Sequence, residues 1–197
     1  MTATHTTPLM LASTSKYRRE LLERLRVPFT AVPPLVDETP MPGEKPAALA
    51  CRLALAKANA VAQAYPTAIV IGSDQVADLE GEALGKPGTF ERAQVQLARM
   101  SGKSVVFHTA LAVVCAHKRF ERTDLAEVNV VFRALTGAQI DAYLHAEQPF
   151  DCAGSAKSEG LGIALLDRID SDDPTALIGL PLIRTSKLLE EAGLTLL

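Results

Sequence analysis

Two short segments of the sequence bring together residue types that suit phosphate chemistry. The first, at positions 13–19, holds Ser13, Lys16, Arg18 and Arg19 at a predicted junction between a strand and a helix. The first turn of a helix already carries partial positive charge and free N–H groups, so each added cation is unfavourable there by about 0.3–1 kcal/mol. A bound polyanion removes this cost, because amides, hydroxyls and guanidinium groups then converge on it. The segment predicts a phosphate site, with a solvated basic surface as the alternative.

The second segment is 71–75, Ile-Gly-Ser-Asp-Gln, which follows buried-type apolar residues from position 68. This pattern predicts a strand that delivers Asp74 at its carboxyl end, where open α/β sheets place their ligands. Asp74 would bind a hard metal ion or take a proton from water, and Gly72 would let the backbone or a substrate approach closely. An aspartate that only begins a turn is the alternative, and the pattern by itself supports both equally.

Further charged residues are spread along the chain. They are Asp37 and Glu38 in a Pro-rich loop, Lys57 on a long predicted helix, Lys86 in a Gly-Lys-Pro segment, and Lys157 with Glu159 in a Gly-rich stretch. Taken singly, each is typical of a solvated surface. Together they supply carboxylates for a divalent cation and ammonium groups for phosphates, which phosphoryl chemistry requires.

Other function classes are disfavoured by motifs and composition. The sequence contains no G-x-x-x-x-G-K-[ST], G-x-G-x-x-G, H-E-x-x-H or G-x-S-x-G motif. A net charge of -3 argues against binding a nucleic acid polymer through bulk positive charge. The longest apolar run, 110–116, is far too short to cross a membrane. Three widely spaced cysteines, an odd number, indicate a reducing, cytoplasmic setting.

The elements that must position these residues follow from the hydrophobic pattern. Strands are predicted at 9–12, 29–32, 68–73, 104–115, 120–132 and 163–165, with a hairpin at 76–84. Helices are predicted from 13 to before Pro28 and at 46–64, 89–100, 136–145 and 182–192. Because the two long strands have no helix between them, they favour an antiparallel pair within a mixed sheet. We therefore expect an α/β fold with a mixed central sheet flanked by helices, in one domain at 9–197 after a flexible N-terminal tail at 1–8.

From Leu9 onward the chain resembles the Maf family of nucleoside triphosphate pyrophosphatases. The segments that carry the resemblance are 11–22, 36–39, the helix with Lys57, 71–75, 85–87, 152–155 and 173–181. The resemblance implies an elongated fold with a deep cleft, like that of Maf and inosine triphosphatase proteins. It also implies a divalent cation (Mg²⁺ or Mn²⁺), a homodimer, and cleavage between the α and β phosphates to give a nucleoside monophosphate and pyrophosphate.

The resemblance also implies a role for each matching residue. Asp74 would be the proton acceptor that activates the attacking water and, with Glu38, a metal-organising carboxylate. The phosphates would be held by Ser13, Arg18 and Arg19, with Lys57 and Lys86 neutralising the charge that builds during transfer.

Three further positions suggest the substrate base. Pyrimidine-specific members of the family typically have Arg, Thr and Gln where this chain has Tyr17, Gln75 and Glu159. The chain is more similar to the YceF-like branch, which favours 7-methyl-GTP, although that branch often has Trp at the position of Tyr17. A methylated guanine is cationic and suits stacking on an aromatic ring, and its N–H donors suit an acceptor-only carboxylate such as that of Glu159. The expected activity is hydrolysis of 7-methyl-GTP to 7-methyl-GMP and pyrophosphate. The alternatives are a dTTP/UTP pyrophosphatase and a non-catalytic, nucleotide-binding septum-inhibition protein.

Overall fold

The computed structural model describes residues 7–197, so positions 1–6 of the predicted tail lie outside the described residues. Within that range the chain forms one seven-stranded mixed sheet with five α-helices. The strands are β1 (Leu9–Ala12), β2 (Thr30–Val32), β3 (Ile69–Leu79), β4 (Glu82–Leu84), β5 (Ser104–Cys115), β6 (Phe120–Phe132) and β7 (Leu166–Asp170). The helices are α1 (Lys16–Glu23), α2 (Pro46–Ala64), α3 (Phe90–Met100), α4 (Gly137–Glu147) and α5 (Leu182–Glu191). The predicted α/β fold with a mixed sheet flanked by helices is confirmed.

The sheet has the strand order β2-β1-β3-β5-β6-β7, and β4 also pairs with β3. Strand β1 runs parallel to β2 and β3, whereas the remaining neighbours are antiparallel. The long β5–β6 pair joins 104–115 to 120–131 in continuous register and forms the predicted antiparallel pair. Within residues 7–197, no helix combines the length and the apolar character needed to cross a membrane.

The helices cover the sheet in three groups, each with its own apolar cluster. Helix α2 packs on one face, against Val70 and Ala112, while α1 and α5 pack on the opposite face, against Ile71 and Val113. Helices α3 and α4 cover the far half of the long strands around Phe107. The alternation of side chains along each strand therefore supplies both faces of the sheet with apolar contacts.

Strand β3 has a gap in its pairing on one side. Strand β1 pairs with it up to Gly72, and β4 begins to pair with it on the same side only at Ala77. Residues 73–76 between these points have a ladder partner only in β5. The Ile69 N–H donates to the Pro8 carbonyl on the β1 side, so by alternation the backbone groups of Ser73 and Gln75 point toward this gap. The gap gives the candidate site an open strand edge as one of its walls.

Three details of the predicted elements are wrong. Helix α1 begins at Lys16 and ends at Glu23, rather than running from 13 to just before Pro28. Strand β3 does not end before Asp74 but continues to Leu79, because β5 pairs with it through Asp78. The segment predicted as a strand at 163–165 lies in a 3-10 helix, Leu161–Leu165, and β7 begins just after it. Close packing of Gly162 on the Lys157 backbone favours the tight turn there, since a Cβ on Gly162 would lie 2.5 Å from the Lys157 carbonyl oxygen.

Candidate active site

A cavity of ≈ 610 Å³ opens at the gap in β3, in the size range of small-molecule sites. It brings together nearly all of the residues predicted from the sequence, although they come from segments far apart in the chain. These lining residues are Ser13, Tyr17, Arg18, Glu38, Lys57, Asp74, Gln75, Lys86 and Glu159. Three of the charged residues named from the sequence, Arg19, Asp37 and Lys157, do not line the cavity, and of these Arg19 and Asp37 are exposed.

The centre of the cavity holds a lysine between two carboxylates. The Lys57 Nζ lies 2.6 Å from Asp74 Oδ1 and 2.7 Å from Glu38 Oε1. Lys57 and Asp74 are buried, at 5% and 8% exposure, whereas Glu38 reaches in from an exposed loop. The sequence predicted Lys57 as a phosphate contact, and the structure shows that its ammonium group also pairs with both candidate metal ligands.

Gly72 explains how Lys57 reaches Asp74. A Cβ on Gly72 would lie 2.2 Å from the Ala54 carbonyl oxygen and 2.7 Å from the Ala58 nitrogen, both in the backbone of α2. The missing side chain therefore lets α2 lie directly on β3, which places Lys57 over Asp74 two residues further along the strand. The close approach expected at Gly72 is made by this helix.

The charges around Glu38 keep its carboxylate ionised. Desolvation would raise the pKa of this group, but the hydrogen bond from Lys57 and the positive charges of Lys57, Lys86 and Arg18 together lower it below its ordinary value. An anionic Glu38 beside Asp74 offers oxygen ligands for a hard cation. Within residues 7–197 there is no group of three or more His, Cys, Asp or Glu side chains arranged to hold a metal ion. The donor set still fits Mg²⁺, which commonly uses one or two carboxylates together with substrate phosphates and water.

One part of the cavity wall, formed by Ser13, Ser15, Arg18 and Gly179, is suited to anions. Ser15 caps α1, since its hydroxyl accepts from the Arg18 N–H at 3.4 Å, and the Ser15 N–H donates to Ser13 Oγ at 3.1 Å. The Arg18 Nε donates to the Gly179 carbonyl at 2.9 Å, which the Ser73 hydroxyl also contacts at 3.1 Å. The remaining guanidinium nitrogens of Arg18 have no hydrogen-bond partner among the described residues. A partly enclosed cation with free donors is satisfied by an anionic ligand.

Another part of the cavity wall carries Tyr17 and Glu159. The Tyr17 hydroxyl donates to Asp151 Oδ1 at 3.4 Å, and the Cys152 thiol donates to the Tyr17 hydroxyl oxygen at 3.9 Å. Desolvation, strengthened by these neighbours, raises the pKa of Tyr17, so the phenol stays protonated. Desolvation by the surrounding wall also raises the pKa of Glu159 above its ordinary value.

The Tyr17 ring already has two cationic neighbours. The Lys16 and Lys157 ammonium groups lie 4.9 Å and 5.9 Å from the ring centroid. A cationic base that stacks on this ring is attracted by the same ring that attracts these ammonium groups, and it is repelled by their charge. The predicted stacking role of Tyr17 therefore depends on how these two lysines are neutralised.

Gln75 is held by contacts that the sequence did not indicate. Its Nε2 lies 3.0 Å from each of three acceptors: Thr109 Oγ1 and the carbonyls of Ala176 and Leu177. The amide therefore ties β3 to the 176–179 loop, whose Gly179 carbonyl holds Arg18. Its predicted role in selecting the base stays a prediction.

Sequence reasoning missed three contributors to the site. Asp151 and Cys152 contact Tyr17, and the Gly179 carbonyl anchors Arg18. The available signal was that 152–155 and 173–181 are segments that resemble the family, although no chemistry was attached to them. Burial raises the pKa of the Cys152 thiol to about 12, so it is protonated at neutral pH and is not poised as a nucleophile.

Comparison with known proteins defines the class to which this chain belongs. The family model described as Maf-like protein matches residues 8–192, and the chain is a member of that family. It is 66% identical over 189 residues to the 7-methyl-GTP pyrophosphatase of Polaromonas sp. (strain JS666), covering 96% of this chain and 86% of that protein. It is 62% identical over 189 residues to the protein of that name from Albidiferax ferrireducens, covering 96% and 95% of the two chains. It is 60% identical over 188 residues to that from Bordetella pertussis, covering 94% and 92%. The resemblance inferred from the sequence motifs is confirmed.

Proposed function

We propose that this protein is a nucleoside triphosphate pyrophosphatase that hydrolyses 7-methyl-GTP to 7-methyl-GMP and pyrophosphate. Near-full-length identity of 60–66% to three proteins named for that activity supports the substrate. The observation that carries the proposal is the arrangement of the cavity. It brings together in one cavity a buried carboxylate at Asp74, several cationic groups, and an aromatic ring with an acceptor carboxylate.

Asp74 is the general base in this proposal. Its second carboxylate oxygen accepts a proton from a water molecule while Oδ1 stays bound to the Lys57 ammonium group, which fixes the orientation of the carboxylate. As this proton transfers, the water oxygen attacks the α phosphorus, the bond from that phosphorus to the α–β bridging oxygen breaks, and pyrophosphate leaves. Arg18, Lys57 and Lys86 offset the negative charge of the phosphates along this path, and Ser13 helps to hold them.

Glu38 and Asp74 are the residues that would hold a divalent cation, Mg²⁺ or Mn²⁺. When bound, such a cation supplies charge neutralisation for the phosphate oxygens. The negative charge of Glu38, which Lys57, Lys86 and Arg18 maintain, keeps this carboxylate available as a ligand. Arg19 does not line the cavity, so its predicted phosphate contact requires a shift of its side chain when the substrate binds.

Base recognition in this proposal rests on Tyr17 and Glu159, with Gln75 shaping the wall beside them. The Glu159 carboxylate accepts hydrogen bonds from the N1–H and exocyclic amine of guanine, while Tyr17 stacks on the ring. A pyrimidine lacks this pair of adjacent donors, which is the physical basis for preferring a guanine.

A substrate screen tests the proposal. The purified protein with Mg²⁺ or Mn²⁺ should release pyrophosphate from 7-methyl-GTP in preference to GTP, dTTP and UTP, and a chelator should abolish the release. Tyr17→Arg and Glu159→Gln should each weaken the discrimination between bases. A preference for dTTP or UTP would place the protein in the pyrimidine-specific branch instead. Binding without turnover of any triphosphate would favour the nucleotide-binding septum-inhibition protein.

We also propose that residues 9–197 fold as one domain, since a single sheet contains strands from Leu9 to Asp170. The three free cysteines, Cys51, Cys115 and Cys152, support a cytoplasmic, reducing location. A homodimer is proposed on the family resemblance alone.

A further inference from the structure

We propose that Glu147, at the end of helix α4 and outside the cavity lining, is a positioning residue that sets the base preference by holding the Glu159 segment in place. The proposal rests on the proposed function, in which Glu159 contacts the base. Sequence analysis singled out Lys157 beside Glu159, but the proposed reaction gives Lys157 no role. The contacts of its ion-pair partner, Glu147, indicate a role for Lys157 in positioning the segment around Glu159.

The Glu147 carboxylate connects two points of the segment 157–161. The Lys157 ammonium group donates to Oε1, and the Leu161 backbone N–H donates to Oε2 at 2.8 Å. Glu159 lies midway between these two bonds. A single carboxylate that holds both sides of a residue restricts the position from which that residue reaches into the cavity.

A second contact from α4 reinforces the first. The Lys157 backbone N–H donates to the Tyr143 hydroxyl at 3.1 Å, and Tyr143 is buried on the inner face of the helix. Tyr143 and Glu147 are four residues apart, so both lie on the same face of α4. The part of the cavity wall that carries Glu159 is therefore attached to a rigid helix rather than to the loop alone.

Gly160 makes room for this arrangement. A Cβ on Gly160 would lie 2.7 Å from Glu147 Oε2 and 2.8 Å from Oε1, so any side chain there would push the carboxylate away. The absence of a side chain next to Glu159 thus serves the contact with Glu147.

The ion pair between Lys157 and Glu147 also controls the charge near Tyr17 and Glu159. Lys157 lies 5.9 Å from the Tyr17 ring centroid, close enough for an uncompensated ammonium group to repel a cationic base stacked there. Glu147 is mostly buried, with 15% of its side chain exposed, and its negative charge offsets that of Lys157. Removal of this carboxylate would both loosen Glu159 and expose the base to a free positive charge.

The test measures kcat and KM of Glu147→Gln for 7-methyl-GTP and for dTTP. Glutamine preserves the shape but removes the charge, so kcat/KM for 7-methyl-GTP should fall about tenfold, mainly through KM, which is the effect of losing one charge-assisted hydrogen bond. The value for dTTP should change far less, because a neutral pyrimidine is neither bound by Glu159 nor repelled by Lys157. Glu190→Gln is the matched control, since Glu190 is exposed on α5 and makes no side-chain ion pair within residues 7–197. This variant should keep the wild-type ratio of kcat/KM for 7-methyl-GTP to kcat/KM for dTTP.

Lys157→Met is the second variant and removes the same bond from the other partner while keeping the aliphatic stem. It should also reduce the ratio of the two kcat/KM values, but by less than Glu147→Gln because no free ammonium group remains. An unchanged ratio in both variants would overturn the positioning role, as would an equal loss for both nucleotides. Thermal unfolding measurements identify a variant that fails to fold. The kinetic result for the other variant then decides whether Glu147 has the positioning role. The proposed function is tested separately by the wild type: if it prefers another triphosphate, that function fails, and the positioning role is judged on the preferred substrate.

Discussion

Replacing Gly72 with alanine would place a methyl group against the backbone of helix α2. The new Cβ would lie 2.2 Å from the Ala54 carbonyl oxygen, whereas close C···O contacts in proteins are about 3.3 Å or longer. The neighbours in question are backbone atoms and the Cβ of Ala58, so no flexible side chain can rotate out of the way. Helix and strand must therefore separate by about 1 Å at this point.

This displacement has two measurable consequences. Overpacking of a tight interface costs about 1–3 kcal/mol, so the free energy of unfolding of Gly72→Ala should fall by that amount. Lys57 is adjacent to Ala58 on α2 and moves with it, which lengthens its 2.6 Å contact with Asp74. A misplacement of about 1 Å in catalytic geometry can lower the rate about 100-fold, and we expect a loss of that order in kcat.

Urea unfolding and pyrophosphate release measure the two effects on the same preparations. Gly137→Ala is the control, because no atom lies within 4 Å of a Cβ added at that position in the first turn of α4. It should leave kcat unchanged and leave stability unchanged or raise it by about 0.4–1 kcal/mol. The reasoning is refuted if Gly72→Ala unfolds at the wild-type urea concentration and retains wild-type kcat.

Two other predictions concern the carboxylates of the cavity. Asp74→Asn should lower kcat about 10²–10⁴-fold while nucleotide binding stays measurable by calorimetry, because an amide cannot take a proton from water. Asp78→Asn, on the same strand face but outside the cavity lining, should retain activity, and equal losses in both variants would contradict the assignment. Because the pKa of Glu159 is raised, its carboxylate takes up a proton at a higher pH than an ordinary glutamate does as the solution is acidified. KM for 7-methyl-GTP should therefore rise over that acidic range, and Glu159→Gln should remove the dependence. A wild-type KM that is constant there would argue against Glu159 as the acceptor.

Much of the fold was predictable because its signals are local. The long β5 and β6 strands and helix α2 follow from local patterns of apolar residues, and their bounds agree with those predicted. The end of β3 was not predictable in this way. Polar residues at 73–75 look like the end of a strand, yet Ser73 and Gln75 are satisfied by the 176–179 loop from the other end of the chain.

The site shows the same division between residue identity and residue contact. Residue types and family motifs pointed to Asp74, Lys57 and Glu38, but not to the ammonium group that links the two carboxylates. That contact depends on how closely α2 approaches β3. Gly72 permits this approach, but it lies too far along the sequence from the α2 residues that it contacts for a local pattern to show the contact. Likewise, the sequence indicated Lys157 only as a charged residue typical of a solvated surface. Its partner Glu147 follows from the position of α4 beside this segment, which the sequence does not give.

The open edge of β3 at residues 73–76 also bears on how the protein avoids sticking to itself. Unpaired strand edges are templates for pairing with other chains, and many proteins protect them with charges or a covering element. Here the edge lies inside a cleft, with Asp74 at 8% exposure and Val76 at 6%, and β1 and β4 flank it at either end. A nucleotide can reach the backbone groups of Ser73 and Gln75 that point toward this gap. A recess of four residues is too short, however, to admit a strand of another molecule. The recess that receives the substrate therefore also protects the sheet from edge-to-edge aggregation.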